Sequence, residues 1–235
     1  MPKHIGIVAV SPEGGALCYR EISRRAEALT GRSHHPTISV FNLPFEDYLG
    51  AVHRDDWHTI GDMLARSAKA LASIGADFCL TPDNVMQHAV HLAQPNCPIP
   101  WLTMTDLVAD AIAADTRRVV GVIGTKMVML GSTYQTTLGL RGIKVIPPAM
   151  TDCDLIDRIV FDELVHGFVT GPSQENMLGA IARMAERGAE GVILGCSEAP
   201  LVVTADNSPL PVYDAVALLA DGAVRMSFGL DARKG

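Results

Sequence analysis

The chain has 235 residues, of which 48% are hydrophobic and 19% charged, a globular balance that excludes general disorder. Its formal net charge is −7 and it has no block of Lys and Arg, so nucleic acid is not expected as a partner. The five cysteines form no C-x-x-C pair, which favours reduced thiols over a disulfide framework. No apolar stretch approaches the roughly 18 residues of a membrane span, and the apolar start is too short for a signal peptide. We therefore expect no membrane partner and a cytoplasmic location.

Short β-branched runs alternate with longer amphipathic patterns along the chain, and this alternation predicts parallel sheets with helices on both faces. The clearest helical patterns cover residues 55–74 and 174–187. Ser173 is the expected N-cap of the second of these helices, and Gly188 the residue that ends it. The predicted strands, in chain order, are Ile5–Val10, Thr37–Phe41, Phe78–Thr81, Val119–Ile123, Ile143–Ile146 and Val192–Leu194.

The sequence repeats itself at an offset of about half its length. The triplet at 75–77, Gly-Ala-Asp, recurs as Gly-Ala-Glu 113 residues later (188 − 75), each time between a helical pattern and a strand. Gly-Ala-acid turns before strands also arise by chance, but the following strands end on Asp83 and Cys196, at the same offset (196 − 83). Ligands of open α/β sheets sit beyond the carboxyl ends of strands. The repeat therefore predicts two similar halves with Asp83 and Cys196 on opposite sides of one cleft.

Both strand-end residues have an ordinary structural interpretation beside the chemical one. Cys196 is either an inert core cysteine or a thiolate stabilised by a helix that begins near Ser197. Asp83 follows Pro82 and is suited to capping a helix, a role that is compatible with acid–base chemistry. His88 either orients Asp83 or is simply an exposed helix histidine.

Hydroxyl residues end the first strand of each half. Ser11 and Thr125 fit a site for a carboxylate, and equally fit ordinary turns. The histidines show no metal-ligand spacing such as H-E-x-x-H, so no metal site is expected. The absence of a G-x-S-x-G motif argues against a serine hydrolase.

These motifs resemble those of a known group of enzymes. Gly195-Cys196-Ser197-Glu198, after an apolar strand, resembles the G-C-[TS]-E signature of the aspartate/glutamate racemase superfamily, which also contains hydantoin racemases, maleate isomerases and arylmalonate decarboxylases. Further matches span nearly the whole chain and are individually weak: Cys18-Tyr19-Arg20, Gly124-Thr125 with Tyr134, Asp162–Gly167, and Asp214 after a Pro-rich strand.

The resemblance implies racemisation without pyridoxal phosphate or any other cofactor. One group removes the α-proton of a small carboxylic acid, and a second group returns a proton to the opposite face. Both groups are cysteines in most of these racemases, the first within C-N-T-x-H. Here Asp83 replaces the first cysteine and Val85 the threonine, whereas Cys196 is kept. An aspartate carboxyl has an ordinary pKa near about 4 and a thiol near about 8.5, so Asp83 is the expected base at rest and Cys196 the acid.

The substrate is less well defined by the resemblance. Aspartate-specific relatives hold the side-chain carboxylate with an arginine from the first half and a lysine from the second. Residues 42–47 contain no arginine, the next one being Arg54, and His166 stands near the position of the lysine. These differences are compatible with a substrate other than aspartate or glutamate.

The sequence as a whole predicts two flavodoxin-like α/β domains related by a pseudo-two-fold axis, with the active site in the cleft between them. Residues 1–100 are expected to form the first domain and residues 101–208 the second, and the resemblance implies that residues 209–235 cross back to complete the first. Asp83 and Cys196 are the predicted catalytic groups, and a homodimer is possible. The predicted substrate contacts are Ser11, Asn84, Val85, Thr125, His166 and Ser197. The alternatives are a decarboxylase or cis–trans isomerase of a small dicarboxylic acid that uses Cys196 alone, and a non-catalytic binding protein.

Overall fold

A computed structural model describes residues 1–31 and 33–230 of the chain. It contains two parallel sheets surrounded by helices, which confirms the predicted α/β class. The chain forms two compact units, one of Met1–Met104 with the segment from Val216, the other of Thr105–Ala215. Within the described ranges, no helix has both the length and the hydropathy needed to cross a bilayer.

The first unit has a three-stranded sheet in the order β2-β1-β3. The central strand β1 is buried along its whole length, as expected for a parallel strand covered on both faces. The elements of the first unit, in chain order, are β1 Ile5–Ala9, α1 Pro12–Thr30, β2 Ile38–Asn42, α2 Phe45–His53, α3 Trp57–Ser73, β3 Phe78–Leu80, α4 Gln87–Ala93 and a 3₁₀ turn Gln94–Asn96.

The second unit has a four-stranded sheet in the order β5-β4-β6-β7. Helix α9 packs its apolar stripe, which includes Met177, Ile181 and Met184, against this sheet. The elements are α5 Met104–Ala114, β4 Val119–Gly124, α6 Lys126–Leu130, α7 Thr133–Gly139, β5 Lys144–Ile146, α8 Met150–Asp162, a 3₁₀ turn Leu164–His166, α9 Gly171–Glu186, β6 Val192–Gly195, a 3₁₀ turn Ala199–Leu201 and β7 Val212–Asp214. Helix α10, Ala215–Phe228, then leads back to the first unit.

The six strands predicted from the sequence are all present, each within one residue of its expected ends. The repeated triplets have the same conformation in both units. Gly75 follows α3 with φ +91°, and Gly188 follows α9 with φ +94°. Only glycine adopts this left-handed backbone without strain, so both glycines end their helices as the pattern predicts.

The acidic residue of each triplet fastens the turn to the first strand of its own unit. Asp77 accepts a hydrogen bond from the backbone N–H of His4 at 2.7 Å. Glu190 accepts from the backbone N–H of Arg118 at 2.6 Å and of Val119 at 3.2 Å. The repeat in the sequence therefore marks a repeated connection between helix, turn and strand.

The predicted N-cap of α9 is wrong. Helix α9 begins at Gly171 and is capped by Thr170, whose side chain accepts from the backbone N–H of Ser173 at 3.2 Å. The reason is Pro172, which fits the first turn of a helix because an N–H has no partner there. Ser173 therefore lies inside the helix.

Strand pairing places two segments in a different unit from the one that the sequence predicted. Strand β7 pairs with β6, so residues 212–214 complete the second sheet and the crossing to the first unit begins with α10. Trp101 forms a parallel bridge with Cys79, and the N–H of Leu102 donates to the Cys79 carbonyl at 2.8 Å. The first unit therefore continues past residue 100, because this segment pairs with β3. The pseudo-two-fold relation and the position of the active site stay predictions, and residues 231–235 lie outside the described part.

Candidate active-site groups

Close packing of two strand ends places Cys196 beside Thr125 in the second unit. Gly124, the last residue of β4, is paired with Gly195, the last residue of β6. A Cβ atom on Gly124 would lie 2.7 Å from the carbonyl oxygen of Gly195, a distance that forbids any side chain there. Thr125 and Cys196 are thus the first residues beyond the paired strands, at the end of the sheet where α/β proteins bind ligands.

The Cys196 side chain is held by a neighbouring carboxylate. Cys196 is 7% exposed, and its Sγ donates to Oε2 of Glu198 at 2.8 Å. The same oxygen accepts from the hydroxyl of Ser197 at 2.9 Å. Ser197 is thus linked to Cys196 indirectly, because both side chains donate to the same oxygen of Glu198.

Burial, followed by the charge and hydrogen bond of Glu198, raises the pKa of the Cys196 thiol far above its ordinary value. Backbone N–H groups of Glu198 and Ala199 act in the opposite direction and are outweighed. The expectation that a helix near Ser197 would favour a thiolate is wrong, because only the 3₁₀ turn Ala199–Leu201 follows. This direction of the pKa shift favours the protonated thiol of Cys196 over its thiolate.

Thr125 has a polar atom that the protein does not satisfy. Its hydroxyl oxygen is buried and has no hydrogen-bond partner among residues 1–31 and 33–230. Ser11, its counterpart in the first unit, instead caps α1 by accepting from the backbone N–H of Gly14 at 3.0 Å. Buried polar groups in native proteins are nearly always bonded, so the hydroxyl of Thr125 suits a ligand oxygen.

In the first unit, Asp83 lies in the loop between β3 and α4. Its Oδ1 accepts from the backbone N–H of Val85 at 2.9 Å and of Met86 at 3.1 Å. These two hydrogen bonds fix the conformation of the loop. Asn84, next in the chain, is buried, and Val85 is half-buried. The expected helix cap at Asp83 is wrong, because α4 begins at Gln87 with Met86 as its N-cap and has no side-chain capping bond. Asp83 instead stabilises the turn that precedes the helix.

The side chain of Gln87 forms further hydrogen bonds that stabilise the same loop. Its amide nitrogen donates to the Thr81 carbonyl at 2.9 Å, and its amide oxygen accepts from the N–H of Met104 at 3.1 Å. Because Gln87 is itself buried, these bonds tie the loop that carries Asp83 to Met104, the last residue of this segment of the first unit.

The two histidines considered from the sequence lie in different surroundings. His88 is half-buried and packs edge-on against Trp57, with ring centroids 4.6 Å apart. Burial, then the neighbouring His91, lowers the pKa of His88, while Asp55 acts in the opposite direction. His166 is exposed in the 3₁₀ turn that ends at Gly167. In the described part of the chain, no group of three or more His, Cys, Asp or Glu side chains is arranged to hold a metal ion.

The structure groups the predicted residues by unit: Cys196, Ser197 and Thr125 in the second, and Asp83, Asn84 and Val85 in one loop of the first. Their roles toward a substrate stay predictions. Sequence reasoning missed Glu198, which it used only as part of a motif. The signal was present, since a carboxylate two residues after a cysteine in a tight turn is placed to reach the sulfur.

Comparison with known proteins then decides the family. A model of the Asp/Glu/hydantoin racemase family matches residues 7–223. The chain belongs to this family. The match confirms the resemblance seen in the sequence and supports a racemase.

Solved structures agree with this membership. A candidate Asp/Glu racemase from Yersinia pestis is 28% identical, with a TM-score of 0.91 over 96% of this chain and 99% of that one. An aspartate racemase homologue from Pyrococcus horikoshii is 25% identical, with a TM-score of 0.88 over 97% and 100% of the two chains. A glutamate racemase from Francisella tularensis, in complex with D-glutamate, shares the fold at 17% identity, with a TM-score of 0.70 over 97% and 82%.

Proposed function

We propose that this protein is a cofactor-independent racemase that acts on the α-carbon of a small carboxylic acid, in the first instance an amino acid. The observation that carries the proposal is the buried thiol of Cys196, which follows the carboxyl end of β6 and donates to Glu198, because racemisation requires a proton donor at rest. Family membership supports the same reaction class.

In the proposed reaction, Asp83 and Cys196 act on opposite faces of the substrate. The carboxylate of Asp83 takes the α-proton as the C–H bond breaks, and the thiol of Cys196 gives its proton to the same carbon. The enzyme is left with a protonated Asp83 and a Cys196 thiolate, the form that acts on the other enantiomer. Each well-placed acid or base of this kind contributes roughly 10²–10⁴-fold to the rate.

A set of polar residues is proposed to hold the substrate carboxylate. Thr125 has the strongest support because its buried hydroxyl has no partner among the described residues. Ser11 and Ser197 already bond within the protein, through Gly14 and Glu198. Further proposed contacts are Asn84, Val85 and His166.

The residues of the proposed site bear on whether the substrate carries a second carboxylate. Residues 42–47 contain no arginine, and His166 is the proposed contact where an acidic substrate would favour a lysine. We therefore propose that the preferred substrate is not aspartate or glutamate.

Proton NMR in deuterated water tests the proposal. The protein is incubated with single enantiomers of a panel of amino acids and small dicarboxylic acids. Loss of an α-proton signal together with appearance of the other enantiomer supports a racemase and names the substrate. Exchange with none of the panel counts against it.

A decarboxylase is the second candidate function. Cys196 alone supplies the proton that replaces a departing carboxyl group, and Asp83 has a structural task in any case, since it holds the turn before α4. Release of CO₂ from a disubstituted malonate, retained in Asp83→Asn and lost in Cys196→Ala, would favour this candidate over the racemase.

A further inference from the structure

The carboxylate of Glu198 is the nearest charged group to the catalytic thiol candidate. Its Oε2 lies 2.8 Å from the Sγ of Cys196 and 2.9 Å from the hydroxyl of Ser197. The sulfur is buried, whereas the carboxylate is half-buried. One oxygen therefore receives two donors, and it holds the S–H bond in one direction.

Neighbouring elements of the second unit carry other charges, whose contacts lie elsewhere. These groups are Lys126 on α6, Asp154 and Asp157 on α8, and Asp214 at the end of β7. Lys126 pairs with Asp154, and its backbone N–H donates to Asp157 at 2.6 Å. The charge of Asp214 acts on the phenol of Tyr134. Among charges on the described residues, that of Glu198 is the one that acts on Cys196.

We propose that Glu198 is a positioning residue that orients the Cys196 thiol and keeps it protonated, and that it thereby sets the upper pH limit of the reaction. The inference rests on the proposed function and extends it to a residue that touches the thiol.

The reasoning concerns the number of protons on the catalytic pair. Racemisation needs one proton on the pair, with Asp83 ionised and Cys196 protonated at the start. Loss of the thiol proton leaves two bases and no acid, and the enzyme stops. A negative charge beside the sulfur opposes that loss, since a like charge disfavours the thiolate. Removing the charge of Glu198 therefore makes the thiol ionise at lower pH.

Two readouts in Glu198→Gln test this inference, and the first needs no substrate. Cys196 is alkylated with iodoacetamide between pH 7 and pH 10, and the modified peptide is quantified by mass spectrometry. Because the thiolate is the reactive form, we expect alkylation at pH 8 to be about tenfold faster in the variant. Glu198→Asp, which keeps the charge, is expected to stay nearer the wild type. Glu175→Gln, on the exposed face of α9, is the matched control and should not change the rate.

The second readout is the pH profile of α-proton exchange on a substrate found by NMR. The alkaline limb of the profile should move to lower pH in Glu198→Gln, while the acid limb, which reports Asp83, stays in place. A loss of structure would lower activity at every pH and would not move one limb alone. Unchanged or slower alkylation of Cys196 in Glu198→Gln would overturn the inference. If alkylation shifts but the wild-type protein exchanges no α-proton, the proposed function fails and the catalytic part of the inference with it, while the control of the thiol by Glu198 stands.

Discussion

The two units differ most where their strands end. In the first unit, Asp83 lies three residues after the end of β3. It accepts hydrogen bonds from two backbone N–H groups of its own loop, at 2.9 and 3.1 Å. In the second unit, the equivalent position is Cys196, which donates to the side chain of Glu198 at 2.8 Å. The repeat offset of 113 places Val85 at the position of Glu198 (198 − 113). One unit thus has its acid at the strand end, and the other has it two residues later.

The units are alike in the turns that enter these strands. Asp77 and Glu190 both bond the backbone at the start of the first strand of their own unit. A side chain that accepts hydrogen bonds suits both positions, because the partner groups are backbone N–H donors, which do not change with sequence. The strand-end residue has no such framework role in the second unit, so its chemistry is free to differ.

The largest expected effect is that of Cys196→Ala. If Cys196 is the proton donor, racemisation should fall by roughly 10²–10⁴-fold, while exchange of the α-proton by Asp83 persists at a reduced rate. Chiral chromatography and deuterium incorporation measure the two processes separately. Full racemase activity in this variant would contradict the role of Cys196 as the proton donor, and with it the proposed chemical difference between the two units.

The next largest effect is expected from Asp83→Asn. Asparagine keeps a side-chain oxygen for the N–H groups of Val85 and Met86, so the loop should remain folded. It has no basicity, so the rate should fall about 10²-fold. Asp83→Ala is the informative companion, because it should lose in addition about 1 kcal/mol of stability with the two hydrogen bonds of the turn. Equal activity of Asp83→Asn and the wild type would reduce Asp83 to a structural residue.

The sequence predicted the framework of both units because its signals are local. The hydrophobic strands and the glycines after α3 and α9 follow from residues close in the chain. The limits of the first unit did not follow, since the pairing of β7 with β6 is a choice between sheet edges far apart in sequence. Short Pro-flanked strands carry little information about their partner.

The state of the thiol was also beyond the sequence. The G-C-S-E motif named Cys196, but its protonation depends on burial and on the direction in which Glu198 points. The sequence alone suggested a helix whose N–H groups would favour a thiolate. The opposite result arises first because the sulfur is buried, and then because the side chain of Glu198, two residues away, reaches it.

A smaller effect, with opposite signs on binding and stability, is expected for Thr125→Val. Valine has nearly the same shape without the hydroxyl. Since that hydroxyl has no partner among the described residues, its removal should leave stability unchanged or raise it by about 1 kcal/mol. Substrate affinity should fall about tenfold if the hydroxyl donates to the substrate carboxylate. Thermal unfolding and KM are the two measurements. Ser11→Ala is the control, which should cost about 1 kcal/mol because that hydroxyl caps α1.

The smallest effect concerns the shared framework and its pH dependence. Backbone N–H groups of Arg118 and Val119 lower the pKa of Glu190 below its ordinary value of 4.5. A carboxyl whose folded pKa is lowered stabilises the protein above its unfolded pKa, and this contribution is lost as the pH falls through the folded value. Glu190→Gln should therefore have a lower Tm than the wild type at pH 7, and the difference should shrink as the pH falls below 4.5, with α-proton exchange unchanged.

Asp77→Asn gives the corresponding test in the first unit. Asp77 accepts one backbone N–H, that of His4, where Glu190 accepts two. The loss of Tm at pH 7 should therefore be smaller than in Glu190→Gln. A larger loss would show that the two turns, although equal in sequence pattern and backbone conformation, do not support their units in the same way.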